Sequence, residues 1–237
     1  MSEQVTYNDE ALLLIRKLSE VNKQITIKKS EDKQFIEIHS QNPPQSIQYD
    51  FKAPVDFFDF EGDEISFFDY KEFFTLLSVN DEPIIKQNDT KISIIKNRAK
   101  LDYHLASIEA LETEEEDEEY VAFDDVHATV KITAETFKKF KTMASLTKAE
   151  ELTFKVEGNK LLIKLYHEET EPTYEEEFDL ESTATEDFSL VADAEVIKLA
   201  PDHDYKLELN SNGVIKLTYL NNINIELNLY IAESEDE

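Results

Sequence analysis

An acidic run near the midpoint divides the chain into two halves. Seven of the eight side chains at 112–119 are carboxylates, and their mutual repulsion keeps this run out of any compact element. Each half is long enough for a domain, and 41% of the 237 residues are apolar, which is enough to build a core. We therefore expect two domains, at 1–111 and 125–237, joined by an acidic connector at 112–124.

The first half shows the pattern of a helix, a strand hairpin, a second helix and a group of strands. Apolar residues recur on one face of 9–23, and Asn8 or Asp9 can cap this helix. A second helix is predicted at 69–79, where Asp69 can cap the first turn. Alternating patterns predict strands at 25–28, 34–38, 84–87, 92–96 and 100–108.

The second half repeats this order. Thr133 is expected to cap a helix that runs to about Leu146, and a short helix is predicted at 193–199. Gly158-Asn159 predicts a hairpin turn. Strands are predicted at 128–132, 152–157, 160–166, 174–180, 188–191, 205–209, 214–220 and 223–230. Because one element order occurs twice, we predict an α+β fold of two similar domains, each with two helices packed on antiparallel sheet.

Positive charge is concentrated on the predicted helices of a strongly acidic chain. The formal net charge is −29, yet the helix at 133–148 carries four lysines and a single acid. A segregated basic face can meet a DNA backbone without tight binding, whereas an ordinary solvated helix face is the structural alternative. The candidate DNA-contacting residues are Arg16, Lys17, Lys23, Lys71, Lys138, Lys139, Lys141, Lys148 and Lys198.

The sequence shows no apparatus for catalysis or cofactor binding. Cysteine is absent and there are only three glycines, which excludes thiolate chemistry and a glycine-rich phosphate loop. Asp124, Asp125 and His127 could be read as a metal site, but their spacing is loose. We expect no metal, no cofactor and no enzymatic activity. No apolar run approaches the roughly 20 residues of a membrane span, and the polar N-terminus has no signal-peptide pattern.

Three segments of the sequence, together with the order of the elements, resemble a known protein family. They lie at 18–28, at 73–81, and in the closing strands at 205–209 and 227–233. Together they resemble the DNA polymerase sliding clamps, the processivity factors of replication, and in particular the short two-domain clamps of T-even-type phages. The resemblance implies a homotrimer that closes into a ring around duplex DNA and tethers the polymerase by topology. It also implies a cytoplasmic location, in an infected host cell if the protein is of phage origin.

The resemblance further implies that DNA polymerase and the clamp loader bind through short hydrophobic peptides. Their pocket is expected between the domains and near the C-terminal strand. Ordinary sheet core is the alternative, because residues 229 and 231 alternate with residue 230 and only one side of a strand can face inward. The candidate residues for the pocket are Tyr120, Val121, Phe123, Leu229, Tyr230 and Ile231.

A second function of another class stays open. An acidic inhibitor could mimic the charge of DNA and occupy the DNA site of a host protein, and the net charge favours this hypothesis. The basic helices and the internal duplication favour the clamp, since a mimic should carry acid along its exposed stripe. A measurement of mass in solution separates the two hypotheses.

Overall fold

The chain divides into two compact units. The computed structural model describes residues 3–79, 83–107, 123, 125–167, 173–181, 186–221 and 224–234. One unit comprises Met1–Ser40 and Asp50–Glu118, and the other comprises Gln41–Tyr49 and Glu119–Glu237. The clustering of Gln41–Tyr49 with the second unit was not expected from the sequence. The domain bounds 1–111 and 125–237 stay a prediction, since most of the connector lies outside the described residues.

The first unit contains two antiparallel sheets and two helices. Its elements are β1 (Glu3–Tyr7), α1 (Asp9–Leu18), β2 (Ile25–Lys29), β3 (Phe35–Gln41), β4 (Ile47–Pro54), β5 (Phe58–Asp59), β6 (Glu64–Phe67), α2 (Tyr70–Ser78), β7 (Ile84–Asn88), β8 (Lys91–Lys96) and β9 (Ala99–His104). One sheet has the strand order β5-β1-β7-β8-β9, and the other has the order β6-β2-β3-β4. Every pair of these strands whose register is described is antiparallel.

Helix α1 is shorter than the sequence predicted. Asn8 caps it by accepting hydrogen bonds from the backbone N–H groups of Glu10 and Ala11, as expected. The helix ends at Leu18 instead of residue 23, because the Ser19 hydroxyl donates to the Arg16 carbonyl and the next residues form a turn.

Helix α2 is confirmed, and it packs an aromatic core. Asp69 caps it by accepting a bond from the Glu72 N–H. The ring of Phe73 lies 4.8 Å from that of Phe67 on β6 and 5.4 Å from that of Tyr103 on β9, measured between centroids. These contacts fix α2 against strands of both sheets of this unit.

The second unit also contains two sheets and two helices. Its elements are β10 (Ala128–Ile132), α3 (Ala134–Thr147), β11 (Glu151–Glu157), β12 (Lys160–Tyr166), β13 (Tyr174–Asp179), β14 (Phe188–Asp193), α4 (Glu195–Leu199), β15 (Tyr205–Asn210), β16 (Val214–Tyr219) and β17 (Glu226–Ala232). The strand orders are β10-β15-β16-β17 and β13-β12-β11-β14, with antiparallel pairing. The part of β4 that belongs to this unit lies beside β17, and Ala232 donates its backbone N–H to the Ser46 carbonyl.

Several local features of the second unit agree with the sequence-based predictions. Thr133 caps α3 by accepting from the Thr136 N–H. Gly158 has a φ of +59° and closes the predicted hairpin, in which Glu157 pairs with Lys160. The buried residues of α3 and the alternating burial of β11 and β12 show that the helix and this sheet share one core. The predicted α+β class, with two helices and antiparallel sheet in each unit, is confirmed.

Candidate functional site

The outward face of α3 presents Lys138 to solvent. Its side chain is exposed and has no ion pair within the described part of the chain. Two neighbours on this face, Thr142 and Ser145, donate their hydroxyls to carbonyls of the same helix. Lys138 is therefore the donor on this face that is available to an anion.

Lys139 points elsewhere, because consecutive helix residues are turned by about 100° from each other. Its Nζ lies 2.7 Å from Glu176 Oε1 on β13 and 5.9 Å from the centre of the Tyr174 ring. The hydrogen bond that Lys139 donates to Glu176, and then its interaction with Tyr174, raise the pKa of Lys139 above its ordinary value. Lys139 thus joins the helix to the outer strand of its sheet.

Lys141 is the most enclosed of the predicted lysines on α3. Its Nζ donates to the Ala200 carbonyl at 2.5 Å and pairs with Asp202, and its side chain is only 17% exposed. The amine also lies 5.3 Å from the centre of the Phe137 ring. The sequence predicts Lys141 as a contact for DNA, whereas in the structure its side chain lies along the edge of the core and ties α3 to the segment after α4.

The other predicted basic residues fall into two groups. In the first group the charge is already engaged: Arg16 lies over the Phe74 ring at 5.6 Å, Lys17 pairs with Glu20, and Lys198 pairs with Glu195. The second group is exposed, with no ion pair among the described residues, and comprises Lys23, Lys71 and Lys148. Surface pairs are weak and exchange readily, so the first group keeps part of its attraction for phosphate.

Two of the predicted partner-peptide residues meet on the outer face of the second unit. The rings of Phe123 and Tyr230 lie 6.4 Å apart, and Lys216 Nζ lies 5.5 Å and 5.4 Å from their centres. Lys216 stands opposite Tyr230 in the register of β16 and β17. A cation held between two aromatic rings makes a partly exposed apolar and positive surface.

The remaining candidates for that pocket do not join this surface. Leu229 and Ile231 are 1% and 3% exposed and belong to the core, which is the alternative that the sequence left open. Tyr120 and Val121 lie outside the described residues. Sequence reasoning missed Lys216, although its alternation with buried Ile215 and Leu217 signals an outward side chain.

The described residues do not assemble a metal site. Asp124 is outside them, and His127 accepts a hydrogen bond from the Ser211 N–H through Nδ1. Among the described residues no group of three or more His, Asp or Glu side chains is placed to hold an ion. The helices that the structure describes also include none with the length and apolar character of a membrane span.

A cavity of about 20 Å³ lies in the core of the second unit, between α3 and the strands. Its walls are apolar and include Ile132, Phe137, Ile197 and Leu207. This volume is close to that of one water molecule, and the walls offer water no polar partner. The cavity is a packing gap in the core and no ligand site.

No family model and no curated protein matches this chain. Solved structures match it in fold. PCNA of A. fulgidus, with the C-terminal region of FEN-1 bound, matches with a TM-score of 0.73 and 12% identity over 100% of both chains. Proliferating Cellular Nuclear Antigen of Entamoeba histolytica matches with a TM-score of 0.75 and 14% identity, over 99% of this chain and 100% of the other.

A bacterial protein shows the same likeness over part of its length. The Beta clamp of H. pylori matches with a TM-score of 0.69 and 11% identity, over 99% of this chain and 66% of the other. Identities this low show a shared fold alone. The chain described here therefore has the clamp fold along essentially its whole length.

Proposed function

We propose that this protein is a non-catalytic sliding clamp, which encircles duplex DNA as a homotrimeric ring and tethers DNA polymerase for processive replication. The observation that carries the proposal is the match to clamp structures over the entire chain at TM-scores of 0.73 and 0.75. The doubled element order, with two helices in each unit, agrees with it. Within this class, the sequence patches favour the T-even-type phage clamps and hence the cytoplasm of an infected host cell.

The helices supply the surface for DNA in this proposal. Lys23, Lys71, Lys138 and Lys148 are its main contacts, because their side chains are exposed and unpaired within the described residues. The other predicted contacts, Arg16, Lys17, Lys139, Lys141 and Lys198, act less directly, since each is already engaged. With a net charge of −29, the chain repels phosphate overall. Retention on DNA must then come from encirclement, and affinity for linear DNA is weak.

DNA polymerase and the clamp loader bind, in this proposal, through short hydrophobic peptides at the surface of Phe123, Tyr230 and Lys216. Aromatic side chains with a polar or charged neighbour are typical anchor sites in protein interfaces. The carboxylates at 112–119 and 233–237 attract basic residues beside the apolar anchor of the peptide and raise its rate of association at low salt.

Solution mass tests the proposal. Light scattering at tens of micromolar should give the mass of three chains of 27.5 kDa each. A monomer would contradict the ring and favour the acidic DNA mimic, which needs no partner copy. A trimer that fails to increase the length of DNA made per binding event by the replicative polymerase would keep the assembly and overturn the function.

A further inference from the structure

Three neighbouring strands of the first unit present a basic outward face. Residues 84–104, which form β7, β8 and β9, include five basic and two acidic residues, for a net charge of +3. The remaining 19 basic and 51 acidic residues of the chain give a net charge of −32. A local excess of positive charge in so acidic a protein is a surface that a negatively charged partner can recognise.

The strand register aligns the outward side chains of this face. Paired residues of neighbouring strands lie on the same side of a sheet, and every second residue of a strand shares that side. The alternate residues Ile85, Ile92 and Ile94 are buried, so their side of the sheet faces the core. The outward positions form three rows, with Ile84, Ile95 and Lys100 in the first, Lys86, Ser93 and Asp102 in the second, and Asn88, Lys91 and His104 in the third.

This face lies on the opposite side of the sheet from helix α2. Tyr103 on β9 is buried, and its ring lies 5.4 Å from that of Phe73 on α2, measured between centroids. Because Asp102 and Tyr103 are consecutive in a strand, their side chains point to opposite sides. The charge of the outward face is therefore separate from Lys71 of α2, and the proposed contact of the helices with DNA does not account for it.

The acid among these nine outward positions is already neutralised. Lys91 Nζ lies 2.6 Å and Lys100 Nζ lies 3.1 Å from the carboxylate oxygens of Asp102, and the Ser93 hydroxyl donates to the same group at 2.6 Å. Lys86 shares the row of Asp102, is exposed and has no ion pair within the described part of the chain. Three lysines against one carboxylate leave positive charge available to a partner.

An exposed aliphatic side chain adjoins these lysines. Ile84 is 48% exposed and stands opposite Ile95, which is itself only half-buried. Lys86 follows Ile84 on the same side of β7. None of the nine outward positions holds Phe, Tyr or Trp, the side chains on which proteins stack nucleic-acid bases. An aliphatic contact beside amines therefore favours an acidic peptide with an apolar anchor over a nucleic acid.

We propose that the outward face of β7, β8 and β9 binds a short acidic segment of another protein. An apolar residue of that segment covers Ile84 and Ile95, and its carboxylates meet Lys86 and Lys91. These two lysines stand on neighbouring strands, which are about 5 Å apart, so one extended segment can reach both. This contact goes beyond the proposed clamp function and does not require a closed ring.

Fluorescence anisotropy with a labelled peptide tests the inference. The probe carries glutamates at alternate positions around a central leucine. The measurement is made at about 0.15 M salt, where a Debye length of about 8 Å screens the repulsion from the rest of the chain. Binding should weaken by about tenfold in K86E/K91E, because two attractive charges become repulsive.

K28E/K33E is the matched control for the charge reversal. Lys28 is exposed and, like Lys86, has no ion pair among the described residues, whereas Lys33 pairs with Asp63 as Lys91 pairs with Asp102. The control variant therefore changes the net charge equally at positions away from this face. It should bind the peptide as the unchanged protein does.

The apolar part of the contact is tested by a second pair of variants. I84S removes the exposed aliphatic side chain and should weaken the peptide by several-fold. V79S makes a similar change at the end of α2, where the side chain is 74% exposed, and should leave binding unchanged. Equal effects of the two substitutions would contradict an apolar anchor at Ile84.

Other outcomes would assign the face differently. Absence of peptide binding, or equal binding by K86E/K91E and K28E/K33E, would overturn the inference. An oligothymidine that binds in place of the peptide, with the same sensitivity to K86E/K91E, would give the face to a nucleic acid. Self-association that is lost in K86E/K91E and kept in K28E/K33E would give it to a second copy of this chain.

The test is independent of folding defects and of the proposed function. Thermal unfolding of each variant monitors folding, and K86E alone, at an exposed side chain, provides the same comparison with K28E where the double variant unfolds. A monomer that binds the peptide would keep this inference and contradict the ring. A trimer that fails to bind it would keep the ring and overturn this inference.

Discussion

Lys139 on α3 donates a 2.7 Å hydrogen bond to Glu176 on β13, whereas the preceding residue, Lys138, points to solvent. Two adjacent lysines of one helix therefore have different surroundings. Tyr174 donates its hydroxyl to the other oxygen of Glu176 at 2.5 Å, so three side chains are linked at the edge of the sheet. The cluster ties the basic helix α3 to β13, the outer strand of its sheet.

Replacing each lysine with methionine should separate the effect of an exposed charge from that of an engaged one. K138M should reduce processive synthesis and leave the mass in solution unchanged, because it removes an exposed charge that faces phosphate. K139M should reduce synthesis less than K138M does, because the charge of Lys139 is already engaged by Glu176. Light scattering and a primer-extension assay with the replicative polymerase measure the two effects.

The pair is its own control, since both variants remove one charge and keep an unbranched side chain. Equal effects of K138M and K139M on synthesis would contradict the distinction between the exposed and the engaged lysine. Unchanged synthesis with K138M would remove Lys138 from the DNA surface.

Packing between α3 and β13 gives a second prediction. Phe140 is 2% exposed, and its ring lies 6.0 Å from that of Tyr174 and 5.9 Å from that of Phe178. F140A removes this buried ring and should lower the free energy of unfolding by about 3–5 kcal/mol. Denaturant unfolding at one protein concentration measures the change, and L146A, at a side chain that is 70% exposed, is the control. A loss below about 1 kcal/mol would mean that the core closes around the gap.

Element types were predictable where the pattern is local. Helices α2 and α3 differ from their predicted bounds by a residue or so, because caps and apolar stripes are read within the segment. Val21 is only 5% exposed, because the turn after α1 buries it. It therefore continues the helical spacing of apolar residues beyond Leu18, and the sequence predicted a helix that was too long. β1 and β4 were missed, because the polar β1 is held by its pairing with β7 and β5, and β4 ends on a proline.

The candidate site was predictable only as a set of charged positions. The pattern shows that Lys138, Lys139 and Lys141 lie off the main stripe of α3. It does not show that Glu176 and Asp202, which are distant in sequence, pair with two of them. The ring contacts of Lys216 likewise depend on strand register and on the placement of Phe123. Pairing between segments that are far apart in sequence decides which predicted residues are accessible.

Moderate salt should strengthen assembly. Each copy carries a net charge of −29, and this repulsion acts over distances that about 0.1 M salt screens, since the Debye length is then about 10 Å. Association should therefore strengthen from low to moderate salt. Sedimentation at low and at moderate salt measures the change, and association that is no stronger at about 0.1 M salt would contradict a limiting role for this repulsion.

The carboxylate of Asp102 links β8 to β9 and should make stability depend on pH. Hydrogen bonds from Lys91, then Ser93 and Lys100, hold the pKa of Asp102 well below its ordinary value of 3.8. A carboxylate with a lowered pKa in the folded state stabilises the fold above its unfolded pKa, and the stabilisation is lost as pH falls through the folded value. The advantage of the unchanged protein over D102N should therefore shrink between about pH 6 and about pH 2 in denaturant titrations. A constant difference across this range would show that the bonds of Asp102 do not depend on its charge.

The partner surface gives the last prediction. Phe123, Tyr230 and Lys216 form an aromatic and positive surface, while Leu229 and Ile231 are in the core. Titration with a short hydrophobic peptide from the polymerase should shift the amide signals of the first three residues, and Y230A should weaken binding by about tenfold or more, as loss of an aromatic anchor does. L146A, which removes an exposed apolar side chain from α3, should bind the peptide normally. Shifts confined to the helices, with residues 123, 216 and 230 silent, would place the peptide elsewhere and leave this aromatic cluster a purely structural contact.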